Sequence, residues 1–239
     1  MSRHLRRHLE LERLSGVDFL PLSKAALRKA PAPRPPAAPA IRTGPVAPVD
    51  PCFAGYPPEF LEFRKPVLEC TRCGLSSTRR QVVFGVGPLG APLMFVGEAP
   101  GGDEDLLGEP FVGRAGQLLT KTLKKIGVER GRVYIANILK CRPPGNRTPQ
   151  PDEMAACMPW LLKQIQFVKP KILCGLGNIA VQTLLSSKTG ITKLRGKYAE
   201  AHGVRFLPTF HPAYILRNMG ELPLFEADLG TACRDAGLI

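Results

Sequence analysis

Residues 95–116 read FVGEAPGGDEDLLGEPFVGRAG. An apolar run ending at Gly97 passes straight into a loop rich in glycine and proline that carries five carboxylates, Glu98, Asp103, Glu104, Asp105 and Glu109. A plain surface connection does not need that density of acid and glycine, whereas a site built at the end of a strand does. Helical spacing takes over from Gly113 to Ile126, so the stretch predicts a strand, a functional loop and a helix in succession.

The same alternation continues outward. Leu93 to Gly97, Val133 to Asn137, Ile172 to Leu176 and Val204 to Thr209 have the composition of buried strands. Helical patterns lie between them, at Gly113 to Ile126, Pro151 to Phe167 and Asn178 to Ser186, and a closing helix is expected over Leu222 to Ala236. Such crossovers are right-handed and give parallel strands, so the expected fold is α/β, a three-layer α/β/α sandwich around a mainly parallel four-stranded sheet. Ligands in these folds bind beyond the carboxyl ends of the strands. Here those ends carry Gly97-Glu98, Asn137, the Gly175–Asn178 turn and, shortly after Thr209, His211. A carboxylate, an amide and an imidazole would meet at one edge, which is a plausible catalytic set.

Composition bounds the rest. The 239 residues are 44% hydrophobic, enough for one core, and 33 Lys and Arg against 20 Asp and Glu give a net charge of +13. That balance favours a polyanionic partner such as nucleic acid. No run approaches a membrane span and the N-terminus lacks the apolar core of a secretory signal, so a cytoplasmic protein with no membrane partner is expected. Residues 1–51 read as an extension, first basic and then rich in proline and alanine, with 8 of the 25 prolines between residues 31 and 51. It is expected to be largely disordered, leaving residues 52–239 as the folded domain.

Seven cysteines in a cytosolic chain point to metal rather than disulfides. Cys70 and Cys73 form a C-x2-C pair, and Cys141 and Cys157 flank a proline-rich loop and a helix start. Four thiolates suit either zinc or an iron–sulfur cluster, and spacing alone leaves both open, together with a zinc-stabilised nucleic-acid-binding module without catalysis. Cys174, inside a strand, reads as a small buried apolar residue. Two glycine-rich matches carry less. Gly85 to Gly90 fits a dinucleotide fingerprint literally, but Pro88 follows its second glycine and no helix begins there, so it reads as chance or a hairpin. Gly175 to Ala180 follows a strand and opens a helix, yet belongs to the third strand rather than the first, so a nucleotide cofactor is disfavoured.

Several ordered segments, CTRCGL, GEAPGGDED, PFVGRAGQLL, NILKCRPPGNR, Cys157, ITKLRG and TFHPAYILR, make the region from Leu68 to Asn218 resemble the family 4 uracil-DNA glycosylases, the iron–sulfur branch of their superfamily. The resemblance implies a 4Fe-4S cluster on Cys70, Cys73, Cys141 and Cys157, and a monomeric enzyme that hydrolyses the N-glycosidic bond of uracil in DNA during base excision repair. It makes Asn137 the reader of uracil, Phe111 the ring that stacks on the flipped base, and Gly97, Ala99 and Asn146 further parts of the pocket. His211 would donate to uracil O2 as charge develops on the leaving base.

Better-known uracil glycosylases place a water-activating aspartate where this chain has Ala99, so Glu98 and Glu104 become the acidic candidates. Backbone contacts to DNA are expected from Arg142, Arg147 and Arg217, with Tyr214 and Ile215 as candidates to wedge into the gap left by the flipped nucleotide. A related branch traps its substrate covalently through a histidine in an inserted basic loop. The corresponding segment here, SSKTGITKLRGK (186–197), has none, so turnover is expected.

Overall fold

The computed structural model describes residues 55–239, so the expectations for residues 1–51 lie outside the described residues. In chain order the elements are α1 (Pro58–Leu68), β1 (Leu93–Gly97), α2 (Gly102–Leu107), α3 (Arg114–Ile126), β2 (Tyr134–Asn137), α4 (Pro151–Val168) and β3 (Ile172–Leu176). There follow α5 (Asn178–Leu184), α6 (Ile191–Leu194), β4 (Ala199–Ala201), β5 (Val204–Thr209), α7 (Pro212–Ile215) and α8 (Leu222–Ala236). No helix among the described residues is long and apolar enough to cross a membrane.

The sheet runs β2-β1-β3-β5-β4, with every pair parallel except β4–β5. It therefore has five strands rather than the four expected. The extra one, β4, is a three-residue antiparallel edge strand joined to β5 by His202 and Gly203, both at positive φ, as a two-residue hairpin turn needs. Because two of its three residues are exposed, it carries no apolar signal.

Every residue of β1, β2 and β3 is buried, as a sheet covered on both faces requires, and successive side chains turn to opposite layers. Leu93, Phe95, Ile135, Ile172, Cys174 and Leu207 face one layer with Leu119 and Leu123 of α3 and Phe225 and Leu229 of α8. Met94, Val96, Tyr134, Leu173 and Phe206 face the other with Leu161 and Ile165 of α4 and Val181 of α5. β1 sits between β2 and β3, so the chain leaves it in one direction and returns on its other side, opening a crevice above its carboxyl end.

The Gly85–Gly90 segment is neither a nucleotide loop nor a hairpin. Val86 forms an antiparallel bridge to Ile135 along the outer edge of β2. A Cβ on Gly87 would lie 2.2 Å from the carbonyl oxygen of Val133, so the glycine permits that approach. Ahead of it, α1 packs Phe60 against Phe84 and Phe167 in a separate aromatic cluster.

Candidate active site

The carboxyl ends of β1, β2 and β5 open onto a pocket of about 470 Å³. From the loop after β1 it is lined by Glu98, Ala99, Gly101, Glu104 and Phe111; β2 contributes Asn137 and the loop after it Asn146 and Arg147. The segment after β5 adds His211, Tyr214 and Arg217. Residues separated by more than a hundred positions in the chain therefore meet, as the strand ends predicted. Sequence reading did not single out Pro100, Gly101, Ala115, Pro143 and Ala213, whose small or rigid side chains also line the pocket.

Asn137 ends β2 in register with Gly97 and is 2% exposed. Its Oδ1 is buried and accepts no hydrogen bond among the described residues. A native buried acceptor left unpaired costs about 1–3 kcal/mol, so one aimed into a pocket is poised for a donor from a ligand. Gly97 makes the room: a Cβ there would lie 2.4 Å from that oxygen and 2.5 Å from the Phe111 ring. Phe111 is held at φ 54°, and a Cβ on Gly116, in the first turn of α3, would strike its carbonyl, so that position of the helix needs glycine.

His211 is the N-cap of α7, and its Nδ1 accepts from the Ala213 N–H at 3.1 Å. Burial pushes its pKa down to about 4, with the nearby Arg217 adding to the effect. The imidazole is thus neutral near pH 7, and with Nδ1 used as an acceptor its proton sits on Nε2. Gly177, at φ 90°, leaves space for it, since a Cβ there would lie 2.7 Å from the His211 Cβ. The glycine of the Gly175–Ala180 loop thereby serves the histidine rather than a nucleotide. Phe111 packs on the imidazole with ring centroids 5.6 Å apart.

The acids divide by their partners. Glu104 accepts from the backbone N–H groups of Val112 and Gly113, both at 2.9 Å, and of Gly101 at 3.1 Å. Its carboxylate braces the loop, spending three of its roughly four acceptor sites on the backbone, which leaves it less free than Glu98 to hold a water. Asp105 is likewise buried and accepts from the backbone of Arg80 and Gln81. Glu98 differs, because no donor among the described residues reaches its side chain, and burial raises its pKa above the ordinary 4.5.

The basic loop is also partly committed. Arg147 forms a two-pronged ion pair with Glu153, at 2.9 and 2.5 Å, tying the loop to the first turn of α4. Its expected contact with DNA phosphate would have to compete with that pair. Arg142 lies outside the pocket lining and donates to Asn146 Oδ1 at 2.8 Å. Arg217 is exposed at the pocket edge and forms no ion pair among the described residues. Ile215 is fully buried in the core, so it cannot be a wedge; the short helix α7 turns it inward and leaves Tyr214 at the pocket, its ring tilted by 32° against that of Phe210.

Behind the site, Cys70, Cys73, Cys141 and Cys157 line one small cavity together with Arg72, Arg79, Lys140 and Trp160. Three N–H groups point at sulfur: Arg79 at Cys141, the Lys140 backbone at Cys157 and the Trp160 indole at Cys70, at 3.2, 3.3 and 3.3 Å. Burial raises the thiol pKa of Cys157 to about 11 and also lifts that of Cys141. No His, Cys, Asp and Glu side chains among the described residues are grouped closely enough to hold a single metal ion. Cys174 and Cys233 lie apart from the four, buried in the core.

Residues 84–233 match the family model of the uracil DNA glycosylase superfamily. The type-4 uracil-DNA glycosylase of Thermotoga maritima is 49% identical over 154 residues, 64% of this chain and 80% of that protein. That of Archaeoglobus fulgidus is 40% identical over 180 residues, 71% and 90% of the two chains. A type-5 uracil-DNA glycosylase of Pyrobaculum aerophilum is 34% identical over 175 residues, 64% and 76%. With the family model covering more than half its length and type-4 relatives matched over most of theirs, the chain belongs to the uracil DNA glycosylase superfamily, in its type-4 group.

Proposed function

We propose that the chain removes uracil from DNA, hydrolysing the bond between N1 of the base and C1′ of the sugar and leaving an abasic site for base excision repair. The observation that carries this is the buried, unpaired Oδ1 of Asn137. Uracil offers an N3–H donor to that oxygen and an O4 acceptor to the same side chain's N–H. Cytosine presents the reverse pattern and would leave buried groups unpaired, at about 1–3 kcal/mol for each.

A base inside a duplex cannot reach this pocket, so the nucleotide must be flipped out. Phe111 would stack on the flipped ring. As the N1–C1′ bond breaks, its electron pair leaves with the base, and the neutral His211 donates its Nε2–H to uracil O2 to stabilise that charge without a proton transfer. Glu98, whose carboxylate has no donor among the described residues, orients the water whose oxygen joins C1′, accepts its proton and favours the positive charge on the sugar. Ala99 and Asn146 complete the wall, Arg217 is placed for a phosphate, and Tyr214 for the gap in the strand.

The four cysteines fit a 4Fe-4S cluster. They share one cavity, three of their sulfurs already face N–H groups, and the charged side chains lining it are all cationic, as an anionic set of thiolates requires. When bound, the cluster would crosslink the segments that carry Cys70, Cys73, Cys141 and Cys157. This chain's own contribution is that Cys141 lies four residues beyond Asn137, so the same crosslink fixes the end of β2. Residues 52–239 would form this catalytic body, with residues 1–51 as an extension.

The test is strand cleavage at abasic sites after incubation with oligonucleotides that differ only in one uracil or cytosine. Cleavage at uracil alone is expected, weakening steeply with added salt as phosphate contacts demand. An iron-loaded protein that leaves the uracil strand intact would remove the proposal.

A further inference from the structure

Lys140 is among the largest fully buried side chains of the protein. Its Nζ donates to the backbone carbonyl of Asn137 at 2.8 Å, its backbone N–H points at Cys157 Sγ, and its side chain lines the four-cysteine cavity. No carboxylate pairs with it among the described residues. A buried cation without an anion is expensive, and such a group relieves the cost by giving up its proton unless negative charge is brought close.

Two needs meet at this residue. Asn137 is the last residue of β2 and its neighbour on β1, Gly97, is the last residue of that strand, so the buried carbonyl takes its donor from outside the sheet. The ammonium, for its part, needs negative charge, which thiolates bound to a metal cluster supply from the other side of the same cavity. Lys140 therefore stands between the sulfur site and the backbone that aims the Asn137 amide.

We propose that Lys140 is a positioning residue that couples the cysteine site to uracil reading: charge in the cavity holds its ammonium, and the ammonium holds the peptide of Asn137. The inference rests on the glycosylase reading. It differs from a crosslink through the polypeptide alone, because a variant that keeps its iron would still read uracil poorly.

The experiment compares wild type with Lys140→Met, an unbranched apolar side chain without donors, and Lys140→Arg, which keeps the cation. Iron per chain, the visible absorbance of the cluster, inhibition by free uracil and kcat/KM are measured on each. For the Met variant, wild-type iron is expected together with inhibition by free uracil weakened about tenfold, the order of one lost hydrogen bond to a charged donor, and a similar fall in kcat/KM. The Arg variant should recover most of both.

Wild-type inhibition in an iron-loaded Met variant would overturn the proposal. If the Met variant loses its iron, the Arg variant decides. Iron and inhibition both close to wild type support the coupling, and loss of either in Arg as well reduces Lys140 to part of the cavity wall. Wild-type protein that releases no uracil sinks the glycosylase reading instead, and does so before any variant is compared.

Discussion

Gly97 and Asn137 face each other across the β1–β2 pair with no room for a side chain between them: a Cβ on Gly97 would lie 2.4 Å from the Asn137 Oδ1. The pocket is therefore shaped by what the strand end leaves out as much as by what it presents. Gly97→Ala should cost about 1–3 kcal/mol in stability through overpacking. Its larger effect should be on kcat/KM, by roughly 100-fold, as expected for a displacement of about 1 Å in a reacting geometry. Thermal melting and steady-state kinetics on the same preparation separate the two.

His211 should remain neutral, and competent as a donor, well below the pH at which an ordinary histidine gains its charge. Its folded pKa of about 4 lies below the ordinary 6.5. The unfolded chain therefore takes up the proton first, and stability falls as pH drops from about 6.5 toward 4. A pH–rate profile should show no limb near 6.5 assignable to this residue, and its imidazole NMR signals should titrate near 4. His211→Ala should lower kcat by about 10²- to 10³-fold, the usual effect of removing one donor from a developing oxyanion.

Glu98 and Glu104 should separate cleanly. If the Glu98 carboxylate orients the water, activity falls as pH drops through a pKa above 4.5, and Glu98→Gln removes most of kcat while leaving the melting temperature near wild type. Glu104→Gln should do the opposite, lowering the melting temperature because three backbone N–H groups lose a charged acceptor. Equal kinetic losses in both variants with unchanged melting would contradict this division.

Asp228 on α8 accepts from Thr209 Oγ1 at 2.7 Å and from two nitrogens of Arg195 at 3.0 and 2.5 Å. Thr209 stands two residues before His211, and Arg195 lies over Phe210. Burial raises the Asp228 pKa against the opposing pull of Thr209 and Arg195, so these partners are what keep the acid tolerable there. Asp228→Ala should destabilise the protein by about 3 kcal/mol, as breaking a buried pair does, measured by denaturant unfolding.

The inner layer of this fold was legible because long apolar runs alternate with helical spacing. β1, β3, β5 and α8 lie where that alternation puts them. Elements without periodicity were not legible: β4 is mostly exposed, α2 is six residues inside a glycine-rich loop, and α1 begins among prolines and contains another at Pro66.

At the site, residue types that carry chemistry were visible as Asn137, His211 and Glu98. Glu104 was visible too, but not its hold on the loop backbone, and Lys140 was not visible at all, because no side-chain pattern records the positions of the backbone groups they reach. Ile215 shows the converse, an apolar residue in a functional loop that a single turn of helix sends into the core.

In the proposed mechanism, reading of uracil falls to the unpaired oxygen of Asn137. This role is tested most directly by the single-turnover rate of uracil release from one oligonucleotide by wild type and by Asn137→Ala, both iron-loaded and melting alike. Loss of two buried hydrogen bonds should slow release by at least about 100-fold. Release at the wild-type rate by Asn137→Ala would contradict the account.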